Sequence, residues 1–323
     1  MEHFVFALNA TVPVFLIILL GWFLMRVGLL DAPFTRTANQ YVFKCALPVS
    51  LFMSIARMDL YSDFDPLFCL FCFVVTSAMF LGVWALTWRF MKDRTQVGAF
   101  SQAAVRSSAA ILGVALATNI YGSAGMVPMM IVAAVPFFNV YAVLILTFSP
   151  QVDEHGCLLP PSAAGRAAVR RALQGVVTNP IIIGIVLGLP FALLKLQVPA
   201  VLASALNTIG GTATPIGLLV VGAGFSGAEA IKKWKPAALA SVIKLFLLPL
   251  LFLPLAALLG FHGSQMVAIL IMVGSPTTVA CYVMAKSMHA DAPLTSNVVV
   301  LTTLFSSVSI TLWLFLLRMF GLV

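Results

Sequence analysis

The chain has 323 residues, of which 62% are hydrophobic and only 9% charged, with a formal net charge of +8 and a mean hydropathy of +1.09. That composition excludes a water-soluble domain, because a globule of this size would lack the polar surface to stay in solution. It also argues against a nucleic-acid binder: the basic residues are scattered through short connections between apolar runs and do not gather on one polar face.

A hydrocarbon core about 30 Å thick takes about 20 apolar residues per helix, and ten runs meet that requirement. They cover 5–24, 39–56, 66–90, 97–119, 124–148, 174–194, 200–224, 236–259, 264–286 and 294–317. The first follows Met1-Glu2-His3 and lacks a basic n-region, so it is expected to be retained and not cleaved. The second carries Lys44 and Ala46-Leu47-Pro48. The third contains Cys69 and Cys72, two of five cysteines; an odd number, mostly inside apolar runs, implies packing residues and neither a disulfide framework nor a metal site. The fourth holds Arg106-Ser107-Ser108 and Gly113, and the fifth Pro136-Phe137-Phe138-Asn139.

The polar connection 149–173, with Asp153-Glu154-His155 and Pro160-Pro161, reads as a cytoplasmic linker between a first five-helix unit, 1–148, and a second, 174–323. The sixth run opens with Asn179-Pro180, read as an N-cap followed by proline in the first turn, the alternative being a pair that lines the cavity. The seventh contains Pro215 and the eighth Lys244. The ninth has Gly274-Ser275-Pro276-Thr277-Thr278 at its centre. With the N-terminus outside, twelve of the 18 Lys and Arg residues fall in cytoplasmic connections and three outside (Arg57, Lys195 and Arg318), leaving Lys44, Arg106 and Lys244 within the bilayer. The positive-inside rule then puts both termini on the non-cytoplasmic face.

At a shift of 167 residues Pro13 falls on Pro180, Gly21 on Gly188 and Pro48 on Pro215. Because each half has an odd number of runs, the second would enter the membrane upside down, as in inverted-repeat carriers with a site at the midplane. Pro276 lacks an N–H and should interrupt the ninth helix, and at a shift of 168 its segment falls on Arg106-Ser107-Ser108. Pro48, Gly113, Pro215 and Pro276 are therefore the expected break or hinge positions.

No Asp or Glu accompanies the three intramembrane cations, so each must snorkel, meet water or meet an anion from outside. Arg106 lies deepest and can grip a carboxylate bidentately; the other reading is a structural bond to carbonyls of a broken helix. Lys44 and Lys244 lie shallower, where snorkelling, gating or a secondary anion contact are the alternatives. Asn139 either orients a ligand or bridges two helices. The candidate substrate-binding set is thus Arg106, Ser107, Ser108, Asn139, Ser275, Pro276 and Thr277.

The segments Asn39 to Pro48 (NQYVFKCALP), Arg106 to Gly113 (RSSAAILG), Tyr121-Gly122, Pro136 to Asn139, Asn179-Pro180, Lys244 to Pro249 (KLFLLP) and Ser275-Pro276 resemble, in order and spacing, the auxin efflux carrier family. The resemblance implies an all-α membrane protein: ten transmembrane helices in two inverted five-helix repeats, bile-acid symporter-like, divided into scaffold and transport subdomains. Helices 4 and 9 would cross at broken middles beside an anion site. The family includes plant exporters of indole-3-acetate and bacterial proteins assigned to malonate or other organic acids. The short linker here resembles that of a bacterial inner-membrane carrier. Two departures stand out. The family commonly has Arg-Gly-Asn and then Leu-Gly-x-Pro, where this chain has Arg106-Ser107-Ser108 and Leu112-Gly113-Val114-Ala115.

The expected function is a secondary transporter of a small organic anion, a mono- or dicarboxylate such as malonate, working by alternating access. The alternatives are a passive anion channel or uniport pore, or an exporter of auxin-like aromatic carboxylates. No enzyme is expected, since HExxH, paired intramembrane aspartates and a Ser/His arrangement are absent from the sequence. No cofactor is expected. The coupling ion, sodium or proton, is open, although a carboxylate proton relay is disfavoured. The expected partners are the lipid bilayer and the organic anion, with a homodimer open and nucleic acid excluded.

Overall fold

Polar caps set where the membrane helices begin. The computed structural model describes residues 2–57, 65–109, 116–117, 120, 125–150, 174–225 and 231–323, with side-chain detail from residue 12 onward. Asp31 accepts from Phe34 N at 2.7 Å, Asp65 from Phe68 N at 3.0 Å, Asn179 from Ile181 N at 3.0 Å and Asp291 from Leu294 N at 3.0 Å. Each is followed by a proline in the first turn, where a missing N–H costs nothing. Asn179 is thus the cap its sequence position suggested. Asp31 starts the second helix at Ala32, earlier than its apolar run, because a cap and a proline can begin a helix on polar residues.

In chain order the helices are α1 (Glu2–Arg26), α2 (Ala32–Tyr41), α3 (Leu47–Ala56), α4 (Pro66–Phe90), α5 (Val97–Val105), α6 (Val127–Phe148), α7 (Pro180–Leu193), α8 (Ala200–Gly211), α9 (Ala213–Ala223), α10 (Trp234–Val242), α11 (Leu248–Leu258), α12 (Ser264–Gly274), α13 (Ala280–Ser287) and α14 (Ala292–Met319). Among the described residues there is no β-strand, and the fold is all-α. By length and composition, five segments can each cross a bilayer: Pro66–Phe90, Val127–Phe148, Ala200–Ala223, Trp234–Leu258 and Ala292–Met319. The linker 151–173 and Gly113 lie outside the described residues.

The interior is apolar, as in a soluble protein, but large apolar side chains also cover the outside. On α14 the exposed face is Leu304, Phe305, Val308, Leu312 and Phe315, whereas Thr302, Thr303, Ser306 and Ser309 are buried. Hydroxyls turned inward and large apolar groups turned outward suit lipid as the solvent.

Among the described residues, the tightest backbone-to-backbone glycine contacts join α1 to α9 and α3 to α7. A Cβ on Gly222 of α9 would lie 1.9 Å from Ile18 O of α1, and one on Gly21 would lie 2.3 Å from Leu219 O. A Cβ on Gly184 of α7 would lie 2.5 Å from Pro48 O of α3. Only glycine permits these approaches.

Two helices contain a π-turn just before a proline. Val42–Ala46 joins α2 to α3 ahead of Pro48, and Ile243–Leu247 joins α10 to α11 ahead of Pro249. A wider turn lets the helix continue past a ring that would clash with the carbonyl four residues back. The helix therefore continues through Pro48 without a break. Pro215 removes the N–H opposite Gly211 O and leaves a one-residue turn at Thr212, whose backbone stays helical, so Ala200–Ala223 continues as one span.

Candidate functional site

The site follows from the carbonyl groups that two interrupted helices leave unpaired. α5 ends at Val105, and Arg106 takes up an extended backbone; α12 ends at Gly274, and Ser275 does the same. The two extended segments cross, with Ser107 and Thr277 forming an antiparallel bridge and Ser108 N donating to Pro276 O at 2.9 Å. Pro276 is buried at this crossing, and Ser108 is half-buried.

Four of the orphaned carbonyls find a donor from another element, as buried backbone requires. Pro276 has no N–H for Met272 O, and the Ser107 hydroxyl donates there instead. Ala103 O has lost its helical partner and accepts from Thr277 Oγ1 at 2.7 Å. Thr277 N donates sideways to Thr302 Oγ1 of α14 at 3.0 Å. Val105 O and Val273 O, near the C-terminal ends of the two half-helices, both accept from Lys244 Nζ at 2.9 Å. The third donor of that ammonium goes to Ser107 Oγ.

Lys244 therefore does not snorkel: it is 0% exposed and its three N–H groups all meet oxygen. The carbonyl ends of α5 and α12 hold it in place, since each helix presents a partial negative charge there. Pro249 has no N–H for Leu245 O, and Trp313 Nε1 of α14 fills that role at 2.9 Å. Lys44 sits in the other π-turn with an exposed side chain. The crossover does not include it.

Arg106 is 5% exposed, and its described side-chain partners are both uncharged. One N–H goes to Asn139 Oδ1 on α6 and another to Met284 Sδ on α13. Among the described residues no carboxylate lies within ion-pair distance of it. Asn139 Nδ2 donates back to Val135 O of its own helix at 2.9 Å, so the amide oxygen ties the extended Arg106 to α6. The Oγ of Ser275 is buried without a hydrogen-bond partner.

The structure thus brings Arg106, Ser107, Ser108, Asn139, Ser275, Pro276, Thr277 and Lys244 around one crossing and leaves Lys44 and Pro215 away from it. Sequence reasoning missed Gln102, Met284 and Thr302. Gln102 is buried one turn before Arg106, its Nε2 donating to Cys281 O at 3.1 Å while its Oε1 has no partner. Its place four residues before Arg106 on an apolar helix was the available signal. Thr302 belongs to the hydroxyl-rich stretch of the last helix, and nothing marked Met284 among fourteen methionines.

An all-helical membrane protein with polar groups gathered where two helices are interrupted has the construction of a transporter. Residues 6–314 match the family described as membrane transport protein. The match covers nearly the whole chain, so the protein belongs to this family, the auxin efflux carrier family that its motifs resemble. It is also 24% identical over 311 residues to an uncharacterized transporter of Methanothermobacter thermautotrophicus, covering 94% of this chain and 96% of the relative.

Proposed function

We propose that the protein is a secondary carrier of a small organic anion, a mono- or dicarboxylate such as malonate, moved by alternating access. The observation that carries this reading is Arg106: a guanidinium held at a helix interruption by an amide and a thioether, with its charge unmatched by any described carboxylate. A buried cation in that position is balanced by a charge that arrives and leaves. The unpartnered Ser275 Oγ and Gln102 Oε1 supply further polar atoms near the same crossing.

The architecture we infer is ten spans in two inverted five-helix repeats, 1–148 and 174–323, joined by a cytoplasmic linker, in a bacterial inner membrane with both termini outside. The hydrogen bond between Ser108 and Pro276 supports this arrangement. Those residues are 168 positions apart, so the bond joins a position in the first half to its own equivalent under the shift that aligns the two breaks. Lys233 pairs with Asp291, which brings together two elements assigned to the cytoplasmic face.

The test is uptake of labelled malonate, and of matched monocarboxylates, into proteoliposomes. A carrier gives saturation and counterflow, and Arg106→Gln lowers uptake by about a hundredfold. Flux without saturation would show a pore instead. Uptake of cations alone, or full anion uptake by Arg106→Gln, would overturn the assignment.

A further inference from the structure

The surroundings of Lys244 are those of a bound metal cation, not of an anion-binding lysine. Two main-chain carbonyls at half-helix C-terminal ends and one serine hydroxyl converge on a single positive group. Half-helix ends of this kind coordinate the coupling cation in many secondary transporters. Each C-terminus is equivalent to roughly half a negative charge, so two of them together call for about one positive charge.

We propose that the Lys244 ammonium is a tethered substitute for a free monovalent cation: it permanently fills a three-oxygen site made by Val105 O, Val273 O and Ser107 Oγ. The native protein then takes no alkali ion at the crossover. Removal of the side chain vacates a site that a small free cation can occupy. This inference goes beyond the anion reading and does not depend on it.

The experiment uses purified full-length protein and thermal unfolding in chloride salts of sodium, potassium, ammonium, methylammonium and choline at equal ionic strength. The native protein gives the same midpoint in all of them. Lys244→Ala and Lys244→Met unfold earlier in choline and are restabilised saturably by at least one small cation. The expected rise is about 2 °C at ten times that cation's dissociation constant. Adding Ser107→Ala to Lys244→Ala weakens the response, since one of the three oxygens is gone. A native midpoint that rises selectively with sodium would overturn the proposal. So would variants indifferent to every small cation, or variants that stay unfolded in all five salts, because a vacated site should be refilled. No organic anion enters the measurement, so its failure is separable from failure of the carrier assignment.

Discussion

The two π-turns are built alike and end differently. Each is five residues long and runs into Leu-Pro: Val42–Ala46 before Leu47-Pro48, and Ile243–Leu247 before Leu248-Pro249. Each carries one lysine, but Lys44 is the third residue of its turn and Lys244 the second. One position is about 100° of helix rotation. That offset leaves Lys44 exposed and sends Lys244 into the crossover, where it meets three oxygens. A lysine within an apolar run is therefore defined by the face it occupies and by which neighbouring helices have carbonyls to spare, more than by its depth.

Substitutions test that contrast. The largest expected loss of stability is from Lys244→Met, which strips a shared donor from Val105 O and Val273 O and leaves Ser107 unsupported. Chemical or thermal unfolding in choline chloride should show a cost of about 2–5 kcal/mol. Arg106→Gln should separate the two buried cations by sign of effect. Anion uptake should fall by about a hundredfold, as expected for loss of a desolvated charge partner, while the unfolding midpoint is unchanged or raised, because an uncompensated charge has been removed. If both substitutions destabilise equally, the distinction between a matched and an unmatched cation fails. Trp313→Phe removes the donor that compensates for Pro249 and should cost about 1 kcal/mol with little effect on uptake. Lys44→Met should leave both the midpoint and uptake where they are; a large effect there would mean that the two turns are more alike than their geometry indicates.

Much of the fold was legible because its causes are local. Apolar run length is a property of a stretch of sequence, and the missing N–H of Pro276 is a property of one residue, so helices and the ninth-run interruption could be placed without knowing any neighbour. Arg106 stood out by the same logic, as a charge where none is cheap. The roles of Lys44 and Lys244 were not separable at that level. The carbonyl partners of Lys244 lie 139 and 29 positions away, and which of them are orphaned depends on two other helices breaking. Asn139 was legible only as an alternative between orienting a ligand and bridging helices; its bond to Arg106, 33 positions away, depends on where α5 breaks and could not be read from the sequence.

The glycine contacts bear on motion. Where Gly222 meets Ile18 O and Gly184 meets Pro48 O, no side chain separates the paired helices to act as a bearing. Such a pair cannot shear along its length without first lifting apart and giving up its close contact. α1 with α9, and α3 with α7, are therefore expected to travel as locked units, and the slip plane of any conformational cycle must run elsewhere.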